Sequence, residues 1–203
     1  MAKQVYDASA IQALKGLEPV RRMPGMYTHT IHPLHVVQEA IDNAVDEALA
    51  GFGKRISVSL YKDGSVEVAD EGRGVPVDLH PAEKKPAVEV AFTMLHAGGK
   101  FSRSGEAVYH ISGGLHGVGV AVSNALSRRC EVTVYRDGQK HTIAFEGGEL
   151  KQKLKSEKSR EARRTGTVVR LWPDPKYFDS PNIPLAELEH LVRSKAYLLP
   201  GLT

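Results

Sequence analysis

The chain has 203 residues, 41% of them apolar, and 27 Lys or Arg against 24 Asp or Glu give a formal charge of +3. That is the length and apolar content of one globular domain with its own core, and it excludes disorder, collagen and coiled coil. Cys130 is the single cysteine, no apolar run approaches the roughly 18 residues of a membrane helix, and MAKQVYDASA lacks a signal peptide's apolar core, so a soluble, cytoplasmic protein with no membrane partner is expected.

The first strong helical period covers 34–50. On a 100° wheel Val37, Ala40, Ile41, Ala44, Val45 and Ala48 form one broad side, with Glu39, Asp42, Asn43 and Asp46 opposite. Same-face acids repel unless water or a cation screens them, and a solvated face is the ordinary reading. Asn43 adds a neutral oxygen of the kind that suits Mg²⁺ beside phosphates. His35, four residues before Glu39, is spaced to hold that carboxylate for general-base work.

Residues 56–70 read as a hairpin, with alternating apolar residues flanking Asp63-Gly64. Asp70-Glu71-Gly72-Arg73-Gly74-Val75-Pro76 follows, where two glycines free the backbone and a proline fixes it again. Such a turn brings main chain close to a ligand, and an Asp leaving a buried strand is a natural acceptor for a purine amine; an ordinary strand-ending Asp turn fits the same letters. A helix is expected at 86–96, then Ala97-Gly98-Gly99-Lys100-Phe101 and a polar run to His110, the pattern of a hinged lid carrying a phosphate-binding lysine.

Ser112-Gly113-Gly114-Leu115-His116-Gly117-Val118-Gly119 leads into a helix at 118–126, so its amides lie at the positive end of a helix, where phosphates bind. No Gly-Lys-Ser/Thr follows and Val122 stands where a third Rossmann glycine belongs, which excludes both common nucleotide loops. A second hairpin is expected at 130–145 around Asp137-Gly138, a further strand at 165–172 and a last helix at 185–197. Between them 151–164 carries seven of the basic residues against Glu157 and Glu161, and reads as a solvated loop or a DNA-contacting strip. Hairpins separated by helices predict an α+β two-layer sandwich, helices on one face of a mixed, mostly antiparallel sheet.

Taken in order, Glu39-x-x-x-Asn43, Asp70-x-Gly72-x-Gly74 and Gly114-x-x-Gly117-x-Gly119 resemble the three-box signature of the GHKL ATPases. Arg21-Arg22-Met23-Pro24-Gly25-Met26-Tyr27, Asp46-Glu47-Ala48-Leu49-Ala50-Gly51 and Leu95-His96-Ala97-Gly98-Gly99-Lys100-Phe101 are similar to the ATPase subunits of bacterial type IIA topoisomerases. Thr28, Trp172-Pro173-Asp174 and Phe178-Asp179-Ser180-Pro181 tilt the resemblance to the topoisomerase IV branch over the gyrase branch.

The resemblance implies ATP and Mg²⁺ as ligands, with Glu39 as general base, His35 supporting it and Asn43 holding the metal. Asp70 would read the adenine amine, Thr165 would share that site through water, Glu47 would pair with Arg73 beside the ring, and Gly74 and Pro76 would line it. Lys100 and the loop Gly114, Leu115, His116, Gly117, Val118, Gly119, Val120 would hold phosphates; Tyr109 would belong to the lid, and Tyr6 would reach the nucleotide of a second protomer. One domain is implied, with an N-terminal arm at 1–15, a lid at 98–117 and a basic surface loop at 150–165, and without the transducer domain that supplies a γ-phosphate lysine, so poor turnover is expected. The implied partners are DNA through the full-length enzyme, the A-type subunit of topoisomerase IV, a second copy of this ATPase subunit upon ATP binding, and ATP-competitive inhibitors at the adenine site. Chaperone, mismatch-repair and histidine-kinase ATPases share the boxes, and a non-catalytic ATP sensor would need Asn43 and Asp70 but not Glu39.

Overall fold

The computed structural model describes residues 13–97 and 119–203. Two hairpins, β1 (Ile56–Leu60) with β2 (Val66–Asp70) and β3 (Ser127–Arg136) with β4 (Gln139–Glu146), form where the Asp-Gly turns predict them. Asp137 and Gly138 both have positive φ, 53° and 71°, the two-residue turn whose twist matches paired strands. The strand β6 (Gly166–Pro173) joins them, pairing with β2 on one side and β3 on the other. Val68, Val169 and Val132 thereby lie side by side, as do Val66, Leu171 and Cys130.

A third hairpin departs from expectation. Residues 150–165 were expected as a basic surface loop, yet β5 (Glu149–Lys158) is a strand paired with β4 at the sheet's edge. Gly147 and Gly148, φ 56° and 88°, make its tight turn. Leu150 and Leu154 pack against the core while Lys151, Lys153 and Lys155 stay exposed. A row of charged lysines also guards an open edge against pairing with another chain. The order is β1-β2-β6-β3-β4-β5, and every pairing among the described residues is antiparallel, in keeping with the mostly antiparallel sheet expected.

Helices cover one face. α1 (Glu18–Arg22), which the periodicity of the sequence does not reveal, is tied by Arg21 to the Gly147 carbonyl at 2.6 Å. α2 (Leu34–Leu49) lies over β1, β2 and β6, α3 (Ala87–Thr93) over β5, and α4 (Gly119–Ala125) over β3 and β6. Phe92 of α3 stacks on Phe145 at 5.8 Å. α5 (Leu185–Leu198) packs beside α2.

The apolar side of α2 buries as its wheel predicts, with one correction: Asp46, grouped with the solvent-facing acids, is 2% exposed. It stands near the middle of the polar arc, where the wheel alone assigns it to solvent, but α2 is enclosed by the sheet, α4 and α5, so part of its polar side is covered as well as its apolar stripe.

Candidate functional site

Glu39, Asn43 and Glu47 follow one another a turn apart along α2, with His35 a turn earlier. Asn43 donates Nδ2–H to the Glu39 carbonyl at 2.6 Å, which turns its own exposed Oδ1 into the available acceptor. Glu39 is half-buried against the first residue of α4. A Cβ on Gly119 would overlap the Glu39 carboxyl group, with the carboxyl carbon 2.6 Å away, so glycine there is what leaves Glu39 its present position. Because the overlap falls on the far end of the Glu39 side chain, Gly119→Ala is expected to push the Glu39 carboxylate aside and leave the stability of the domain within about 1 kcal/mol of wild type, which a thermal melt measures. The neighbouring Asp42 turns elsewhere, to Lys195 of α5 at 2.6 Å.

At the next turn Glu47 clamps Arg73. Its Oε2 accepts from the Arg73 backbone N–H at 3.0 Å and from Nε at 3.1 Å, while Oε1 accepts from the guanidinium at 2.8 Å. The guanidinium plane also lies over the Phe52 ring, 4.1 Å from its centroid. The expected Glu47–Arg73 pair is therefore present, and Phe52 is a contributor that sequence reasoning missed.

Asp70 ends β2 beside this clamp. Oδ1 accepts from the Gly72 N–H at 2.7 Å and the Thr167 N–H at 3.2 Å, and among the described residues no donor reaches Oδ2. Burial pushes the carboxyl up to about 6, with the Glu47 charge adding to it, although both backbone donors pull the other way. Gly72 has no room for a side chain, because a Cβ would stand 2.8 Å from that of Glu47 and 2.9 Å from Asp70 Oδ1. Gly74, at φ 77°, is as close to the Tyr135 carbonyl oxygen, 2.9 Å. Pro76 is exposed just beyond, Val75 is half-buried, and Val45 and Val68 are buried nearby in α2 and β2.

Thr165 does not join Asp70. It is exposed, one residue before the strand begins, and the threonine that meets Asp70 is Thr167, which is 6% exposed. Thr167 donates its N–H to Asp70, and its hydroxyl accepts from the Val75 N–H at 3.1 Å. Gly166 separates the two at φ 130°, with its Cα against the Asp70 carbonyl, and this kink ends the strand's alternation before it reaches Thr165. Stepping back by twos from the inward residues Leu171 and Val169 lands on Thr167, a signal already in the sequence.

His35 is half-buried, and its Nδ1 lies 2.8 Å from Thr28 Oγ1. Burial first, then the nearby His29, lowers its pKa, with Asp42 opposing, so the ring is neutral near pH 7. Val120 is half-buried in the first turn of α4. Tyr6, Lys100, Tyr109, Gly114, Leu115, His116, Gly117 and Val118, with the arm and the lid, lie outside the described residues. Among the described residues no group of three or more His, Cys, Asp or Glu is arranged to hold a metal. No described helix is long and apolar enough to cross a membrane.

Residues 28–176, spanning every described side chain of this site, match the family of histidine kinase-, DNA gyrase B- and HSP90-like ATPases. The chain belongs to that family. Within it, this ATPase-family domain is 57% identical over 198 residues to the B subunit of DNA topoisomerase 4 from Salmonella typhimurium, covering 98% of the chain and 31% of that protein. To the B subunit of DNA gyrase from Thermotoga maritima it is 52% identical over 202 residues, covering 97% and 31%. Among solved structures it resembles the ATP-binding domain of topoisomerase IV from Francisella tularensis, in complex with a small-molecule inhibitor: TM-score 0.80, 44% identity, 93% of this chain and 87% of that one. The ATPase-family domain thus spans about a third of the length of the curated relatives it matches.

Proposed function

We propose that this chain is the ATP-binding and ATP-hydrolysing part of a bacterial type II DNA topoisomerase, the ParE-type subunit of topoisomerase IV, in which ATP-driven pairing of two such subunits gates DNA passage together with the A-type subunit. The observation that carries it is the row Glu39, Asn43, Glu47 on one helix, running from a carboxylate beside α4 to a clamp beside Asp70. That row has the polarity of a nucleotide, base at one end and terminal phosphate at the other. The 57% identity with a topoisomerase IV relative, against 52% with a gyrase relative, supports the branch.

The adenine amine would donate to Asp70 Oδ2, while Oδ1 stays occupied by Gly72 and Thr167. Arg73, held flat by Glu47 and Phe52, would cover the ring's outer face. A Mg²⁺ ion fits the donors present: Asn43 Oδ1 is an available hard oxygen with no cage of acids around it among the described residues, the set for an ion that keeps its waters and binds substrate phosphates. When bound, it would neutralise phosphate charge. Glu39 would take the proton of the attacking water. Lys100 and the amides of 114–119 would hold the phosphates, Tyr109 would close over them, and Tyr6 would reach the second protomer's nucleotide.

Reconstituting the longer ATPase subunit with its A-type partner tests this reading. ATP turnover should rise when duplex DNA is added, and an ATPase indifferent to DNA would place the chain in another branch of the family. An inhibitor that competes with ATP should bind the 203-residue chain itself, since its contacts lie at the adenine end.

A further inference from the structure

We infer that Gly119 is a positioning residue for hydrolysis: the absence of a side chain at the start of α4 leaves the room in which the Glu39 carboxylate stands. The inference rests on the reading of Glu39 as the base and goes beyond it by naming what sets where that base sits.

Backbone conformation does not explain this glycine. Gly74 and Gly166 have φ of 77° and 130°, where a side chain is strained, whereas Gly119 opens α4 without a left-handed φ. At such a position alanine is the better helix former, because its backbone has less freedom to lose. What alanine would meet is a single side chain. Apart from its own helix and chain neighbours, the three atoms nearest to a Cβ at 119 would all belong to Glu39: Oε2, Cδ at 2.6 Å and Cγ at 3.1 Å.

The backbone of α4 is held where it is by two buried polar side chains. The hydroxyl of Ser123, 1% exposed, donates to the Val36 carbonyl of α2 at 2.7 Å and lies 3.0 Å from the Gly119 carbonyl. That pin joins the two helices about one turn before Glu39. Asn124, with no exposed surface, donates to the Phe92 carbonyl of α3 at 2.8 Å. A buried hydrogen bond is costly to break, whereas the end of a glutamate moves by rotation about single bonds. An added Cβ therefore displaces the carboxylate and not the helix. Asn43 is left in place, because it bonds the Glu39 backbone carbonyl and not the side chain. The position of the base and the hold on the Mg-nucleotide thus depend on different atoms.

Gly119→Ala in the longer protein should lower kcat about 10- to 100-fold, the cost of moving a reacting group by about 1 Å, and leave directly measured ATP affinity within about 2-fold. Alanine keeps the backbone N–H that a phosphate would use, so turnover and affinity separate. A melting cycle on the 203-residue chain gives a readout independent of turnover. In a Glu39→Ala background no carboxylate meets the new Cβ, so Gly119→Ala should raise the melting temperature there, and raise it less or lower it in the wild-type background. The double variant should also turn over no more slowly than Glu39→Ala. An unchanged kcat in Gly119→Ala, an ATP affinity that falls as far as the turnover, or equal melting shifts in both backgrounds overturns the inference. Should Gly119→Ala fail to fold, the double variant must fold, and its failure to do so overturns the inference as well. Failure of the base assignment reads differently, because Glu39→Ala alone would then hydrolyse ATP at the normal rate.

Discussion

Replacing Asp70 by Asn is expected to weaken ATP about 10- to 150-fold while making the unliganded domain more stable. The first effect follows from losing a charged acceptor, worth roughly 1.5–3 kcal/mol to a neutral donor. The second follows from burial. Asp70 holds its proton up to about pH 6 in the folded chain, against 3.8 for an unperturbed carboxyl. A raised pKa contributes stability that is complete below 3.8 and disappears as pH rises through about 6, so at pH 7 the ionised group costs the fold up to about 3 kcal/mol. Asn removes that cost and still offers an oxygen to the Gly72 and Thr167 amides. A thermal melt at pH 7 should therefore rise by several degrees, and the gain should vanish near pH 4. Ligand binding is linked to the same proton. A donor at Oδ2 favours the ionised form, so a neutral heterocycle titrated at pH 6 should release about half a proton, and almost none at pH 7.5. Calorimetry in buffers of different ionisation enthalpy measures this, and undiminished affinity in Asp70→Asn would remove Asp70 from the adenine site.

Glu39→Ala in the longer protein should lower kcat by about 10²- to 10⁴-fold and leave nucleotide affinity nearly normal, because a general base acts on the water and not on the bound nucleotide. Asn43→Ala should fail in the opposite way. Its Oδ1 is the oxygen turned outward by the hydrogen bond to Glu39, so its loss should weaken the Mg-nucleotide first. Direct binding and turnover measured on both variants separate the two roles. Normal hydrolysis by Glu39→Ala would sink the catalytic assignment and leave a sensor that binds ATP without cleaving it.

Much of the frame was legible in local sequence. The Asp-Gly turns placed two hairpins, the 3.6-residue period placed α2, and its polar arc held Glu39 and Asn43. Those signals are readable because each is satisfied within a few residues, by a positive φ or by one face of one helix. The third hairpin was readable in principle from Gly147-Gly148, but the lysines of β5 masked the alternation of Leu150 and Leu154. Charge density reports solvent exposure, and an edge strand is exposed on purpose.

What lay beyond the sequence depended on segments distant along the chain. That Thr167 and not Thr165 meets Asp70 is decided where β6 inserts between two hairpins and Gly166 bends against the Asp70 carbonyl, nearly a hundred residues away in sequence. Asp46 was assigned to solvent by its own helix and buried by the helices beside it. Thr28 and His35 meet only because segment 179–180 holds the loop between them in place. The residue types, and the helix and turns that carry them, were determined by local periodicity and backbone preference. Which atoms face one another, and hence the raised pKa of Asp70 and the neutral ring of His35, was decided by packing, since burial and hydrogen-bond partners are properties of the closed structure.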